Sequence, residues 1–332
     1  MARDQRALSR RSFCRTVAGV LVAPAIAIAQ TSKVVRRVGW LQGGVPNPPD
    51  TQQQELDALA EVGWIFGKNV LIDRRYGKYQ DLLHAAQEFV KKEVDLIVAD
   101  GTPATLAAKN ATNSIPILIW VAGDPVAAGL VESLARPGSN VTGIAMLSPQ
   151  LRVKRLSLLR ELLPGIRRVA ELDWSTNPYF RIARKHLEEA YQSLGMEPIY
   201  VDAIQFTRFE DVVAQFVQRR AQAVNTVEDA LDPNWVPQIF GALVKASLPT
   251  VVGASDRDLL GAGALLSYDN DYKELKHRAA LLFDKLLRGA KPADLPIEQA
   301  TKFRLGINLR TAKALGLTIP KELLLRADEV IQ

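Results

Sequence analysis

The sequence predicts an α/β protein with two Rossmann-like lobes, each built on a parallel sheet, and a cleft between the lobes. Runs of apolar and β-branched residues alternate along the chain with segments whose apolar residues recur at helical spacing. Some strand-like runs, such as residues 94–100 and 115–122, are almost continuously apolar. Strands that helices cover on both faces have this pattern. The alternation forms two successive series of similar size, and the 332 residues are enough for two lobes.

The first series contains four predicted strands. We expect them, with the helices between them, in the order strand 34–41, helix 51–62, strand 69–76, helix 80–93, strand 94–100 and strand 115–122. The last two strands each end in a turn of small residues, Gly101-Thr102-Pro103 and Gly123-Asp124-Pro125, and we expect each turn to open a helix.

The second series follows residues 140–143. We expect helix 151–163, strand 167–174, helix 179–194, strand 198–204, helix 206–219, strand 221–229, helix 236–246, strands 248–255 and 263–269, helix 271–288, strand 303–309 and two short helical segments. No sequence repeat relates the two series.

The two turns that follow strands 94–100 and 115–122 are predicted to lie on one edge of the first sheet. Right-handed crossovers place all turns of this kind at the carboxyl ends of parallel strands, where ligands bind. Small residues let a ligand approach the backbone N–H groups at a helix N-terminus, which favour a carboxylate. We therefore expect both turns to line one wall of the cleft.

The basic charge of the chain is concentrated at its N-terminus. The first 29 residues hold five Arg and one Asp, so the formal net charge of +6 falls to +2 for the remainder. Such a small excess, without aromatic residues among the basic ones, argues against a nucleic-acid partner.

The N-terminus has the pattern of an export signal. Residues 9–15, SRRSFCR, hold an Arg pair, and the apolar segment that follows is too short to span a membrane. Residues 27–29 form an A-x-A cleavage site before Gln30. The pattern resembles a twin-arginine signal, which a receptor reads and which does not anchor the protein; the alternative is a disordered basic tail. Cys14, the sole cysteine, is not at the cleavage point, so we expect a periplasmic protein without a stable membrane anchor.

Motifs of catalytic chemistry are missing from the sequence. His84, His186 and His277 lie singly in predicted helices, without the spacing of metal ligands. There is no nucleophile elbow, cysteine nucleophile or phosphate-binding glycine loop. We therefore expect no cofactor, no metal and no enzymatic activity.

Four carboxylates fall at the ends of predicted strands: Asp124, Asp173, Asp229 and Asp256. Each either caps a helix or faces the cleft, where a carboxylate receives an ammonium group or, as a weaker alternative, activates water. Trp174 follows a strand in the polar turn DWSTNP and either lines the cleft or belongs to the core.

Nearly the whole chain resembles the ABC transporter substrate-binding proteins of the tryptophan or aromatic amino-acid type. The stretches that carry the resemblance are GWIFGKNVLIDRR, VDLIVADGTPATLAAKNAT, IPILIWVAGDPVAAGLVESLARPGSNVTG and the C-terminal GAKPADLPIEQATKFRLGINLRTAKALGLTIPKELLLRADEVI. The resemblance implies the type I periplasmic-binding architecture, in which the chain crosses between lobes three times, here near residues 140–146, 261–264 and 293–298. The expected division is a signal at 1–29, an N-terminal lobe at 30–143 and 262–295, and a C-terminal lobe at 144–261 and 296–332.

The resemblance also implies a pocket formed by strand-end loops. The matching positions, together with the strand-end residues above, are Gln42, Gly43, Gly44, Gly101, Thr102, Pro103, Gly123, Asp124, Trp174, Thr176, Asn177, Asp229, Ser255, Asp256 and Tyr268. The implied function is a periplasmic receptor that binds a small ligand, an amino acid or another carboxylate, and delivers it to an ABC permease with its ATPase. The alternatives are an exported ligand-sensing subunit and an enzyme that uses the cleft carboxylates.

Overall fold

A computed structural model describes residues 35–175, 177–227, 235–253 and 259–332 of the chain. The expected signal at residues 1–29 lies outside this range. The described residues form two sheets with helices packed on their faces. Among these residues, no helix combines the length and the apolar character that crossing a bilayer requires.

The first sheet has six strands, all of them parallel to their neighbours. They are β1 (Arg36–Gly43), β2 (Val70–Gly77), β3 (Leu96–Asp100), β4 (Ile117–Ala122), β5 (Val141–Ala145) and β11 (Glu298–Gln299), in the spatial order β11-β5-β4-β3-β1-β2.

Four helices cover the two faces of the first sheet: α1 (Pro49–Glu61), α2 (Tyr79–Lys91), α3 (Thr102–Ala111) and α8 (Tyr272–Leu287). Helices α2 and α3 share one apolar core with the sheet, and α1 and α8 share the other. In the second core the buried rings of Trp40 and Trp120 lie 4.8 Å apart. The near-continuous apolar strands are thus covered on both sides, as their sequences predicted.

The second sheet has seven strands: β6 (Arg168–Asp173), β7 (Glu197–Asp202), β8 (Ala223–Val227), β9 (Thr250–Gly253), β10 (Leu266–Asn270), β12 (Phe303–Asn308) and β13 (Glu329–Ile331). Their spatial order is β13-β12-β10-β9-β8-β6-β7, and the β10–β12 pair is antiparallel. The accompanying helices are α4 (Ser148–Leu162), α5 (Pro178–Leu194), α6 (Phe209–Gln218), α7 (Val236–Lys245), α9 (Leu309–Ala314) and α10 (Lys321–Leu324). The predicted two-sheet α/β fold is confirmed.

Two local predictions in the first series are wrong. No α-helix follows Gly123-Asp124-Pro125; residues 125–130 form consecutive turns, in which the N–H groups of Leu130 and Val131 both donate to the carbonyl of Pro125. Strand β5 was not predicted because Gly143 suggests a turn. Gly143 is in fact required within the strand: its φ is 147°, and an added Cβ would overlap the carbonyl of Ile119 on β4.

The chain passes between the sheets after β5, after β10 and after β11. Two of these passages differ from the expected crossings at 261–264 and 293–298. Strand β10 lies in the second sheet, paired with β9 and β12, whereas residues 262–295 were assigned to the first lobe. Strand β11 lies in the first sheet, paired with β5, although residues from 296 onward were assigned to the second lobe. Sheet membership depends on hydrogen-bond partners distant in sequence, which local patterns do not reveal.

Candidate functional site

The carboxyl ends of β1, β3 and β4 meet at one edge of the first sheet. Gln42 is in register with Asp100, and Asp100 with Val121. The N–H of Gly101 donates to the carbonyl of Val121 at 2.9 Å. Three of the predicted ligand-facing segments, at residues 42–44, 101–103 and 123–124, are therefore neighbours.

The turn at residues 101–103 opens helix α3, as predicted. Gly101 is the N-cap residue, with φ of 92°, and the helix begins at Thr102. Gly101 has no side chain with which to cap the helix, and Thr102 is the first helical residue and not the N-cap. The N–H and the hydroxyl of Thr105 donate to the carbonyl of Gly101 at 3.1 and 2.9 Å. The N–H groups of Thr102 and Ala104, in the first turn, have no acceptor inside the helix. Pro103, between them, has no N–H.

Asp124 shapes the next turn along the same edge. Its Oδ1 accepts a hydrogen bond from the N–H of Ala127 at 2.9 Å, and its carbonyl accepts one from Ala128 at 3.0 Å. The side chain is half-buried. Asp124 therefore caps a turn that follows β4, the strand next to β3, which leads into α3.

A chain of polar side chains fixes the loop between β1 and α1. The Nε2 of the buried Gln42 donates to the carbonyl of Val45 at 3.0 Å and to Oδ1 of Asn47 at 2.8 Å. Asn47 donates to Glu55 at 3.0 Å, and Glu55 pairs with Arg74 at 2.6 Å. Burial raises the pKa of Glu55, while Arg74 opposes the rise. Gln42 thus holds the loop that contains Gly43 and Gly44.

The edge of the second sheet contains a buried network of charges. Asp173, at the end of β6, is 3% exposed and pairs with Arg152 at 2.7 Å and with Arg184 at 2.9 Å. Arg152, on α4, also pairs with Glu171 at 2.8 Å. Both oxygens of Asp173 are engaged by arginines, so this carboxylate is not available to receive an ammonium group or to act as a base.

The network extends from Glu171 to β8 and β10. Glu171 accepts hydrogen bonds from the hydroxyl of Tyr191 at 2.5 Å and from Asn225 at 2.8 Å. Its full burial raises its pKa, and Arg152 opposes the rise. Arg155 donates to the carbonyl of Tyr268 at 2.9 Å and lies 3.8 Å from Asp269. Helix α4 therefore ties together three strands of the second sheet.

The sequence analysis did not identify Arg152 and Arg155 as important residues. They lie three residues apart on α4 among leucines, and both are at most 1% exposed. The available signal was this spacing, which places two arginines on one helix face together with buried apolar residues.

The remaining predicted residues of the second lobe have varied environments. Trp174 packs partly against the core between the sheet and helices α6 and α7. The N–H of Asn177 donates to the carbonyl of Trp174 at 2.9 Å. The ring of Tyr268 stacks on Phe303 with centroids 6.2 Å apart. Four predicted residues lie outside the described residues: Thr176, Asp229, Ser255 and Asp256. Ligand contact by any of the predicted residues of the second lobe stays a prediction.

The helices that begin at the two edges meet each other. Helix α3, which opens at Thr102, contacts helix α5, which opens at Pro178 after the loop of Asp173. The helices that follow the two edges therefore connect the two sheets. Among the described residues, no group of three or more His, Cys, Asp or Glu side chains is arranged to hold a metal ion.

A family model described as ABC transporter substrate binding protein matches residues 50–331. The chain belongs to this family. It is 28% identical over 265 residues to the tyrosine-binding protein of Clostridioides difficile (strain R20291), a match that covers 79% of this chain and 75% of that protein.

Two solved structures have the same fold. A conserved domain protein from Vibrio cholerae is 26% identical, with a TM-score of 0.80 and coverage of 89% of this chain and 99% of that one. An ABC domain in complex with L-Trp from Streptococcus pneumonia is 23% identical, with a TM-score of 0.77 and the same coverage. The resemblance seen in the sequence is confirmed, and the chain is an ABC-type solute-binding protein.

Proposed function

We propose that this substrate-binding protein captures an aromatic α-amino acid between its lobes and delivers it to an ABC permease. The observation that carries the proposal is the pair of neighbouring strand ends at Gly101 and Gly123. One opens a helix with unused N–H groups, and the other carries the carboxylate of Asp124.

This pair matches the two charges of an amino acid. Neighbouring strands lie about 4.8 Å apart, which suits a carboxylate at the N-terminus of α3 and an ammonium group beside Asp124. A helix N-terminus favours an anion, and charge-assisted hydrogen bonds are stronger than neutral ones. Because Asp173 is occupied by two arginines, Asp124 is the better ammonium acceptor of the two.

The aromatic side chain is inferred from the relatives. One is named for binding tyrosine and another was solved with L-Trp. We infer that the side chain of the ligand lies toward the second lobe, near the predicted residues Trp174 and Asn177.

A thermal-shift screen tests the proposal. L-Tyrosine or L-tryptophan at 100 times its dissociation constant should stabilise the protein by about 2.7 kcal/mol. Tyramine lacks the carboxylate and 3-(4-hydroxyphenyl)propionate lacks the ammonium group, so each should give a clearly smaller shift than L-tyrosine. If no aromatic amino acid raises the melting temperature, or if the truncated compounds act equally well, the proposal is wrong.

Delivery requires the two lobes to close on the ligand, by hinge motion at the chain passages between them. We expect the radius of gyration from small-angle scattering to fall when the stabilising amino acid is added. An unchanged radius at saturation would contradict closure.

We also propose export to the periplasm through the Arg pair at residues 10–11. Changing Arg10 and Arg11 to Lys should leave the precursor in the cytoplasm. Normal periplasmic accumulation of the double variant would contradict a twin-arginine route.

A further inference from the structure

A pocket of about 550 Å³ lies entirely within the second lobe, beside the ends of β6 and β7. Its walls come from the ends of β6 and β7, the first turns of α5, the segment between β7 and α6, and the end of α6. Among the described residues, none from the first sheet lines it, so a ligand held there does not need the first lobe to close over it. The volume falls in the range of pockets that hold small organic molecules.

The walls of this pocket carry an excess of positive charge. Arg181, Arg184 and Arg219 line it, against two carboxylates, Asp173 and Asp202. Asp173 is already paired with Arg152 behind the wall, in addition to Arg184. Asp202 accepts hydrogen bonds from the N–H groups of Ser175 and Ile204 at 3.1 and 3.3 Å. Protein donors therefore already engage both carboxylates, and the pocket favours an anion.

Two of the guanidinium groups are held in place by the protein. Arg184 stacks over the ring of Tyr200, with 4.1 Å between its Cζ and the ring centroid. Arg219 donates to the carbonyl of Tyr200 at 2.7 Å, from the end of α6. Arg181 is exposed on the first turn of the 17-residue helix α5, whose N-terminus adds a positive partial charge. The three groups thus approach one cavity from two helices.

The apolar part of the lining determines the class of anion. Phe180, Phe206 and Tyr200 contribute aromatic rings, and Gln205 and Gln215 contribute amide groups. Flat apolar groups pack well against such rings, whereas a small inorganic anion uses only the charges.

We propose that this pocket is an accessory site for a small aromatic carboxylate, separate from the site between the lobes. The carboxylate lies against Arg181 and Arg219, and the ring lies against Phe206 and Tyr200. The proposal does not depend on the identity of the ligand between the lobes.

Isothermal titration calorimetry with 4-hydroxybenzoate tests the proposal. We expect saturable binding that L-tyrosine does not compete away, and weaker binding of inorganic phosphate, which lacks the ring. The double variant Arg181→Ala and Arg219→Ala should lower the affinity for 4-hydroxybenzoate at least about tenfold. Arg288→Ala with Arg304→Ala is the matched control, because it removes the same charge from side chains that are 68% and 53% exposed and lie outside the pocket. The control should bind as the unchanged protein does.

Three outcomes would overturn the accessory site. The first is that 4-hydroxybenzoate does not bind at about 10 mM. The second is that the double variant and the control bind it with equal affinity. The third is that L-tyrosine, at a concentration equal to its dissociation constant for the site between the lobes, displaces 4-hydroxybenzoate. If the double variant fails to fold, Arg181→Ala alone replaces it, since Arg181 is exposed on the helix surface; it should lower the affinity about threefold. If no aromatic amino acid binds between the lobes, the proposed function fails, but the response to the arginine variants still decides the accessory site.

Discussion

The edges of the two sheets carry the same sequence signature, an aspartate after a buried strand, but differ in what surrounds it. At the first edge, Asp124 accepts a backbone hydrogen bond and is half-buried. At the second edge, Asp173 is buried between Arg152 and Arg184. The first edge has helix N–H groups and a carboxylate that we propose a ligand uses, whereas the carboxylate of Asp173 at the second edge is already paired within the protein.

This difference teaches that an aspartate at a strand end is not by itself a sign of ligand binding. Its role depends on which side chains reach it from other elements. Arg152 reaches Asp173 from a helix 21 residues earlier in the chain, and it also stacks over Phe180 with 5.2 Å to the ring centroid. The paired carboxylates at the second edge therefore stabilise the fold, whereas we propose that the first edge recognises the ligand.

The largest expected effect is on stability at the second edge. Arg152→Met should lower the free energy of unfolding by about 3–5 kcal/mol, because it leaves Glu171 and Asp173 buried without their shared cation. Urea denaturation measures the change. The matched control is Arg184→Ala: its side chain is 46% exposed, so its loss should cost about 0–1 kcal/mol. Similar small losses for both variants would mean that the buried network does not stabilise the second edge.

The next effect concerns ligand affinity at the first edge. Thr102→Ala should weaken binding of the stabilising amino acid about tenfold, or about 1.4 kcal/mol, because it removes a hydroxyl at the start of α3. Thr102→Ser keeps the hydroxyl and should retain most of the affinity. Calorimetry with L-tyrosine or L-tryptophan compares the three proteins. Loss of folding stability with unchanged affinity would show that Thr102 does not contact the ligand.

A smaller effect is the pH dependence that Glu171 contributes. Burial raises the pKa of Glu171 in the folded protein, so the folded state holds this proton more tightly than the unfolded state does. Its contribution to stability is present below the unfolded pKa, about 4.3, and is lost as the pH rises through the folded pKa. Relative to Glu171→Gln, the unchanged protein should lose stability as the pH rises from about 4.3 through the raised folded pKa. A difference in unfolding free energy that stays constant with pH, or changes in the opposite direction, would contradict this.

The sequence predicted the fold well because its main signal, the spacing of buried apolar residues, is local. Strand β3 and helix α2 could be identified from their own residues alone. Strand β5 could not, because Gly143 is needed there to let β4 approach closely, and a glycine in sequence suggests a turn. The sheet to which β10 belongs depends on pairing with β12, which begins 33 residues after β10 ends.

The same contrast applies to the candidate site. The turn at Gly101 was predicted because a strand, a glycine and a helix follow one another directly. The pairing of Asp173 was not, because the arginines that engage it lie on α4 and α5. The turn at the first edge could therefore be predicted from adjacent residues, whereas the charge network at the second edge could not, because its members are distant in sequence.

The smallest expected change in stability, and the sharpest test of the comparison, is Asp124→Asn. The amide oxygen of Asn still accepts the hydrogen bond from Ala127, so the free energy of unfolding should change by no more than about 0.5 kcal/mol. Asp124→Ala removes that acceptor and should cost about 1 kcal/mol. Both variants remove the negative charge that we propose pairs with the ammonium group, so both should weaken binding of L-tyrosine or L-tryptophan about tenfold in calorimetry. If Asp124→Asn binds the amino acid as tightly as the unchanged protein, the carboxylate only shapes its turn. The first edge would then resemble the second, with its aspartate serving structure, and the ammonium acceptor would have to lie elsewhere.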